Sequence, residues 1–134
     1  MESKVSIDDL NLVSSSDKPF ELDLLSPKTD KPMGITILVF GDHAEKVQKY
    51  VRTELNARRQ QAALRMKKGK DIDIESVEDD LEFSIESCVV RTAGWKGLKE
   101  EFSPELARKL YTQNPALRGQ VLAASGNVAN FTKL

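Results

Sequence analysis

The sequence predicts an α+β fold that is mostly α-helical: a long antiparallel helical hairpin, short C-terminal helices, and an N-terminal β-hairpin packed on them. Three observations predict it. Phe20-Glu21-Leu22-Asp23-Leu24 alternates apolar and acidic residues, and Gly34-Ile35-Thr36-Ile37-Leu38-Val39-Phe40 is β-branched and apolar, so both read as strands. Two longer runs, one from Val47 and one from Ile74, repeat apolar residues at helical spacing. Near the end, Ser103-Pro104 and Asn114-Pro115 each pair a capping side chain with proline at the first helical position.

Residues 1–17 read as a flexible tail. Val5, Ile7, Leu10 and Leu12 are apolar, but Ser14-Ser15-Ser16 breaks any pattern, and a terminus without a docking surface stays loose. A single α+β domain is expected over residues 18–134. Its β-hairpin spans 18–41, turning through Ser26-Pro27-Lys28-Thr29-Asp30-Lys31-Pro32, where two prolines forbid a strand. A lone hairpin is only marginally stable in water, so its apolar face must lie on helices or on another subunit.

The helical hairpin is expected over 42–93. Asp42 serves as the cap of its first helix, and Val47, Val51, Leu55, Ala62 and Met66 form that helix's stripe. Glu54 and Arg58 make an i,i+4 pair. The pattern stops around Lys67-Lys68-Gly69-Lys70 and resumes with Ile74, Val77, Leu81, Ile85, Cys88 and Val89. Asp71 and Asp73 at the second helix's start, and lysines at the first helix's end, both suit the helix dipoles. Short helices follow over 98–127, carrying Leu106 and Leu110, then Leu117, Val121 and Leu122, with Gly126-Asn127 as the stop.

Composition narrows the function. The formal net charge of -1 removes the electrostatic argument for general binding to nucleic acid or anionic membranes. No apolar run approaches the roughly 20 residues that span a bilayer, and residues 1–17 lack the apolar core of a secretion signal. Cys88 is the only cysteine, which leaves no disulfide framework and suits a reducing cytoplasm.

The reactive residue types are scattered. Asp71, Asp73, Glu75, Asp79 and Glu82 mimic the spacing of a calcium loop, yet Ser76 stands where that loop needs glycine, and Ile74, Val77 and Leu81 require a helix there. They read as a solvated acidic face. Arg58, Arg59, Arg65, Lys67, Lys68 and Lys70 form a basic cluster without an aromatic residue among them, beside acids that cancel its field. His43 has no second histidine or nucleophile beside it in sequence, and Cys88 falls on the apolar stripe. Gly69-Lys70 lacks both the upstream glycine and the following hydroxyl of a phosphate loop. The sequence therefore predicts a protein that is not an enzyme and uses no metal or cofactor. Trp95, the only tryptophan, stands in Gly94-Trp95-Lys96-Gly97-Leu98 at an expected chain bend. It is either a core or hinge residue whose N–H bonds a carbonyl, or a partly exposed anchor for a partner.

The order of these features resembles the tail assembly chaperones of long-tailed bacteriophages. The resemblance rests on the strand pair Phe20-Glu21-Leu22 and Pro32-Met33-Gly34-Ile35-Thr36-Ile37 and on a helical middle that begins at Val47 and includes Arg59. Val90, Gly94-Trp95-Lys96-Gly97-Leu98, Phe102-Ser103 and Asn130-Phe131 complete it, so that it covers roughly residues 18–131. It implies a protein of the infected bacterium's cytoplasm that binds the tape measure protein, keeps it soluble, helps recruit tail tube subunits, and is absent from the finished virion. Self-association is open, and a longer product of ribosomal frameshifting is common in such families. Trp95, Leu98, Phe102 and Phe131 are the candidate partner contacts. Two competing readings are a tail or connector subunit retained in the virion, and a small nucleic-acid-binding regulator.

Overall fold

The computed structural model describes residues 4–67 and 75–132. Strands β1 (Phe20–Leu25), β2 (Pro32–Val39) and β3 (Thr92–Lys96) form an antiparallel sheet in the order β1-β2-β3. The helices are α1 (Leu12–Ser16), α2 (Glu45–Lys67), α3 (Glu75–Arg91), α4 (Pro104–Gln113) and α5 (Pro115–Gly126), with 3₁₀ turns at Ile7–Leu10 and Val128–Asn130. The fold is the expected α+β class, with the N-terminal strands forming a hairpin.

The pleat of the sheet decides the layers. Leu22 opposes Ile37 and Phe20 opposes Val39, so these residues share the face turned toward the helices. Leu24, Ile37 and Val39 are buried there with Ile85 and Cys88 of α3, Ala107 and Tyr111 of α4, and Leu117 and Val121 of α5. Burying each large aliphatic side chain contributes about 1.5–3 kcal/mol, which makes this cluster the main support of the fold. The opposite face is polar. Lys96 reaches across β2 to Glu21 (2.8 Å), and Thr36 donates to Asp23 (2.9 Å).

β3 is the largest departure from expectation. The helical hairpin ends at Arg91 rather than at residue 93, and the chain from Thr92 pairs with β2 instead of bending into short helices. The second edge of β2 is thereby occupied, and the sheet's outer edges belong to β1 and β3. Part of the β1 edge is closed by a side chain: the Gln120 carboxamide accepts from Leu25 N–H and donates to Leu25 C=O, both at 2.8 Å.

Asp42 is a second correction. α2 starts three residues after it, and the carboxylate accepts from Arg91 Nε (2.9 Å) and from Ser125 Oγ (2.9 Å). Arg91 also bonds the Ser87 carbonyl, and the Ser125 hydroxyl lies 2.7 Å from the Phe40 carbonyl as well, its one proton shared between the two acceptors. This part-buried set ties the ends of β2, α3 and α5 together, which a helix cap would not do.

Residues 4–17, expected as a tail, contain the 3₁₀ turn and α1, with Ser14–Ser16 inside the helix instead of breaking it. Asn11 caps α1 through Ser14 N–H, Ser16 is buried, and its carbonyl accepts from Gly41 N–H (2.9 Å). The expected turn around Gly69, with Lys68, Lys70, Asp71, Asp73 and Ile74, lies outside the described residues. The short C-terminal helices begin at Pro104, capped by Ser103 as expected, and Gly126 is the last helical residue.

Candidate partner-binding site

Trp95 is held on β3 opposite Ile37 and so faces the helix side of the sheet, half-buried. Gly97 then lets the chain leave the strand. Its φ is +91°, and a Cβ at that position would stand 2.0 Å from the Gly34 carbonyl oxygen, so only glycine fits. The turn returns Glu100 to the indole, whose Nε1–H donates to the Glu100 carbonyl at 2.8 Å. Phe102 meets the same ring edge-on, with centroids 5.1 Å apart and planes at 88°.

Two grooves flank this aromatic pair. One, of about 310 Å³, is lined by Trp95, Leu98, Leu106 and Leu110, with Glu100, Lys109 and Gln113 around it. The other, of about 360 Å³, places Phe102 and Pro104 beside Phe40, Val89, Val90 and Ala93, with Lys46 and Glu86 at its border. Apolar walls with charged rims suit a partner's apolar side chains better than a charged small molecule.

Of the four candidate contacts, the structure brings Trp95, Leu98 and Phe102 together. Phe131 does not join them. It is buried at the opposite edge of the sheet, edge-on to Phe20 of β1 at 6.2 Å. Both readings of Trp95 find support, since its N–H is satisfied internally while its ring still lines an open groove. The groove's other wall was legible as the Leu106 and Leu110 face. Its closure against Trp95 was not, because β3 was not anticipated.

The two long helices meet through an aromatic and ionic clamp. Arg58 donates to Asp80 (2.7 Å) and to the Asp79 carbonyl (3.1 Å), lies over the Phe83 ring at 4.7 Å, and Phe83 stacks on Tyr50. Burial pushes the Tyr50 hydroxyl up to about 12, helped by Glu54 and Glu86. The expected stripe of α2 explains why a charged residue fills this seam. An i,i+4 repeat advances about 40° beyond a full turn at each step, so the stripe winds off the covered face. Val47 is fully buried, Leu55 is 44 % exposed and Met66 is 74 % exposed.

The remaining candidates are dispersed. His43 lies exposed in the turn before α2. Cys88 is fully buried, its thiol pushed up to about 11 chiefly by that burial, and Sγ lies 3.7 Å from the Arg118 carbonyl. Tyr111 hydrogen-bonds Thr92 (2.6 Å), and Thr92 in turn donates to the Cys88 carbonyl. Glu75, Asp79 and Glu82 belong to α3, not to a loop. Among the described residues no group of three or more His, Cys, Asp or Glu is placed to hold a metal ion, and no helix is long and apolar enough to cross a membrane. None of the known protein families, curated proteins or solved structures matches this chain.

Proposed function

We propose that the protein is a tail assembly chaperone of a long-tailed bacteriophage, binding the tape measure protein and keeping it soluble until tail tube subunits enclose it. The observation that carries this reading is the groove of Trp95, Leu98, Leu106 and Leu110, an apolar channel between a strand end and a helix face. A client helix presents apolar residues at i, i+3 and i+4, and a groove of this kind accepts two or three of them. Each buried aliphatic side chain contributes about 1.5–3 kcal/mol, and the cost of association offsets much of that sum. Binding is therefore reversible, as a protein that leaves the assembling tail requires. No nucleotide chemistry enters the cycle.

The order of strand pair, helical middle, Gly-Trp-x-Gly turn and Phe-Ser helix start supports the same reading. On this reading the protein acts in the infected cell's cytoplasm and is absent from the finished virion. The outer edge of β3 is the strand edge suited to a tube subunit.

Co-expression tests the proposal. The chaperone is expected to keep its tape measure client in the soluble fraction without ATP. Leu98→Lys and Leu110→Asp, checked for native circular dichroism, are expected to lose that effect. Trp95 is the only tryptophan, so client peptides seated in the groove are expected to shift its emission to shorter wavelength. Client solubility unchanged by the wild-type protein, or stoichiometric presence in purified particles, would defeat the reading.

A further inference from the structure

We propose that the protein forms a two-fold dimer through the α2–α3 hairpin, with the basic outer face of α2 in each copy lying on the exposed acidic face of α3, beside the α2–α3 cleft, in the other. The charge is segregated by helix. α2 carries seven Lys and Arg against two Glu, whereas α3 carries six Asp and Glu against a single Arg. Among the described residues one ion pair, Arg58 with Asp80, joins the two helices. Lys49, Arg52 and Arg59 share one outer face of α2 at helical spacing, and Glu78, Asp79 and Glu82 share one exposed face of α3, with Asp79 and Glu82 bordering the cleft beside Arg58. All six are exposed, and none of their side chains makes an ion pair among the described residues.

At the level of the whole chain these charges cancel, but at contact range they do not. Packed helices lie about 8–10 Å apart, and the Debye length at physiological salt is about 8 Å, so each exposed face keeps its own sign. Among the described residues α2 packs chiefly on α3, and most of its circumference is exposed. Leu55 and Met66 of α2 and Leu81 of α3 are exposed beside the charged faces, giving apolar surface to exclude water from the contact.

A second copy is the occupant that satisfies both faces at once. Under a two-fold axis, α2 on α3 in one direction generates the same contact in the other, so a single docking geometry neutralises both signs. A basic or an acidic client helix satisfies one face and leaves the other unmatched. A polyanion meets the acidic helix beside every basic one.

The test is sedimentation equilibrium of the full chain, and it needs no client, so its outcome is separable from that of the chaperone reading. At low salt the mass is expected at twice 15.0 kDa, with dimerisation weakened about tenfold or more at high salt. Two charge variants follow, each checked for native helicity by circular dichroism. One is Lys49→Glu, Arg52→Glu and Arg59→Glu, which makes both exposed faces acidic. The other is Glu78→Lys, Asp79→Lys and Glu82→Lys, which makes both basic. Each alone is expected to be monomeric, and their equimolar mixture is expected to recover the doubled mass. A monomer at every salt concentration, a dimer indifferent to both variants, or a mixture that stays monomeric would overturn the proposal. Should a variant fail to fold, the salt titration of the native protein decides alone.

Discussion

Replacing Gly97 by alanine tests how the junction behind Trp95 is held. At φ +91° the residue occupies a backbone region that costs an L-amino acid about 1–2 kcal/mol. The added methyl would also stand 2.0 Å from Gly34 O and 3.2 Å from Ile35 Cα. Both obstacles are backbone atoms, so no side chain can swing aside. Relief requires the start of β2 and the end of β3 to part, losing ladder hydrogen bonds at about 1 kcal/mol each. The sum is about 3 kcal/mol or more, a large share of the 5–15 kcal/mol that holds a typical domain. Two controls separate strain from clash. Gly34 has φ +81° but nothing within 4 Å of its absent Cβ, so Gly34→Ala is expected to cost only about 1–2 kcal/mol. Gly119 lies exposed inside α5 with open space around it, and Gly119→Ala is expected to stabilise by about 0.5–1 kcal/mol through helix propensity. Urea denaturation followed by far-ultraviolet circular dichroism gives all three values. If Gly97→Ala falls within about 0.5 kcal/mol of Gly34→Ala, the steric argument is wrong.

Other substitutions probe the buried polar groups. Asp42→Ala leaves the buried Arg91 guanidinium without its carboxylate and is expected to cost about 1–3 kcal/mol by chemical denaturation, with Asp42→Asn costing less. Tyr111→Phe removes one hydrogen bond while Thr92 keeps its bond to Cys88, so a loss of about 1 kcal/mol is expected in the same assay. Cys88 is expected to resist thiol reagents at pH 8 in the folded protein and to react at once in urea. Because burial raises its pKa from 9.0 to about 11, the unfolded chain releases that proton first. Its contribution to stability is therefore complete below pH 9 and disappears as pH rises through 11. Comparing Cys88→Ala with wild type across that window isolates the effect, and a wild-type curve no steeper than the variant's would contradict it.

The elements that were legible in the sequence are those fixed by neighbours along the chain. Phe20–Leu25 alternates because one face of that strand is buried, and Ser103-Pro104 caps α4 because the missing N–H of proline costs nothing at a helix start. α3 is legible for the same reason through Ile85, Cys88 and Val89. Thr92–Lys96 was hidden, because Thr-Ala-Gly-Trp-Lys has neither alternation nor a β-branched run. It becomes a strand through pairing with β2. The candidate site was half legible. The aromatic and leucine residues stand out in sequence, but the grouping of Trp95 with Leu106 and Leu110, and the removal of Phe131 to the far edge beside Phe20, are consequences of that pairing.

The sequence by itself determined the α+β class, the two long helices, the hairpin strands and the charge of each helix, since periodicity, turn chemistry and ionisable groups act locally. Tertiary structure alone decided which apolar residues are covered, that Asp42 serves Arg91 and Ser125, and that a third strand completes the sheet. Burial and pairing depend on residues tens of positions apart, and no local pattern records where those residues meet.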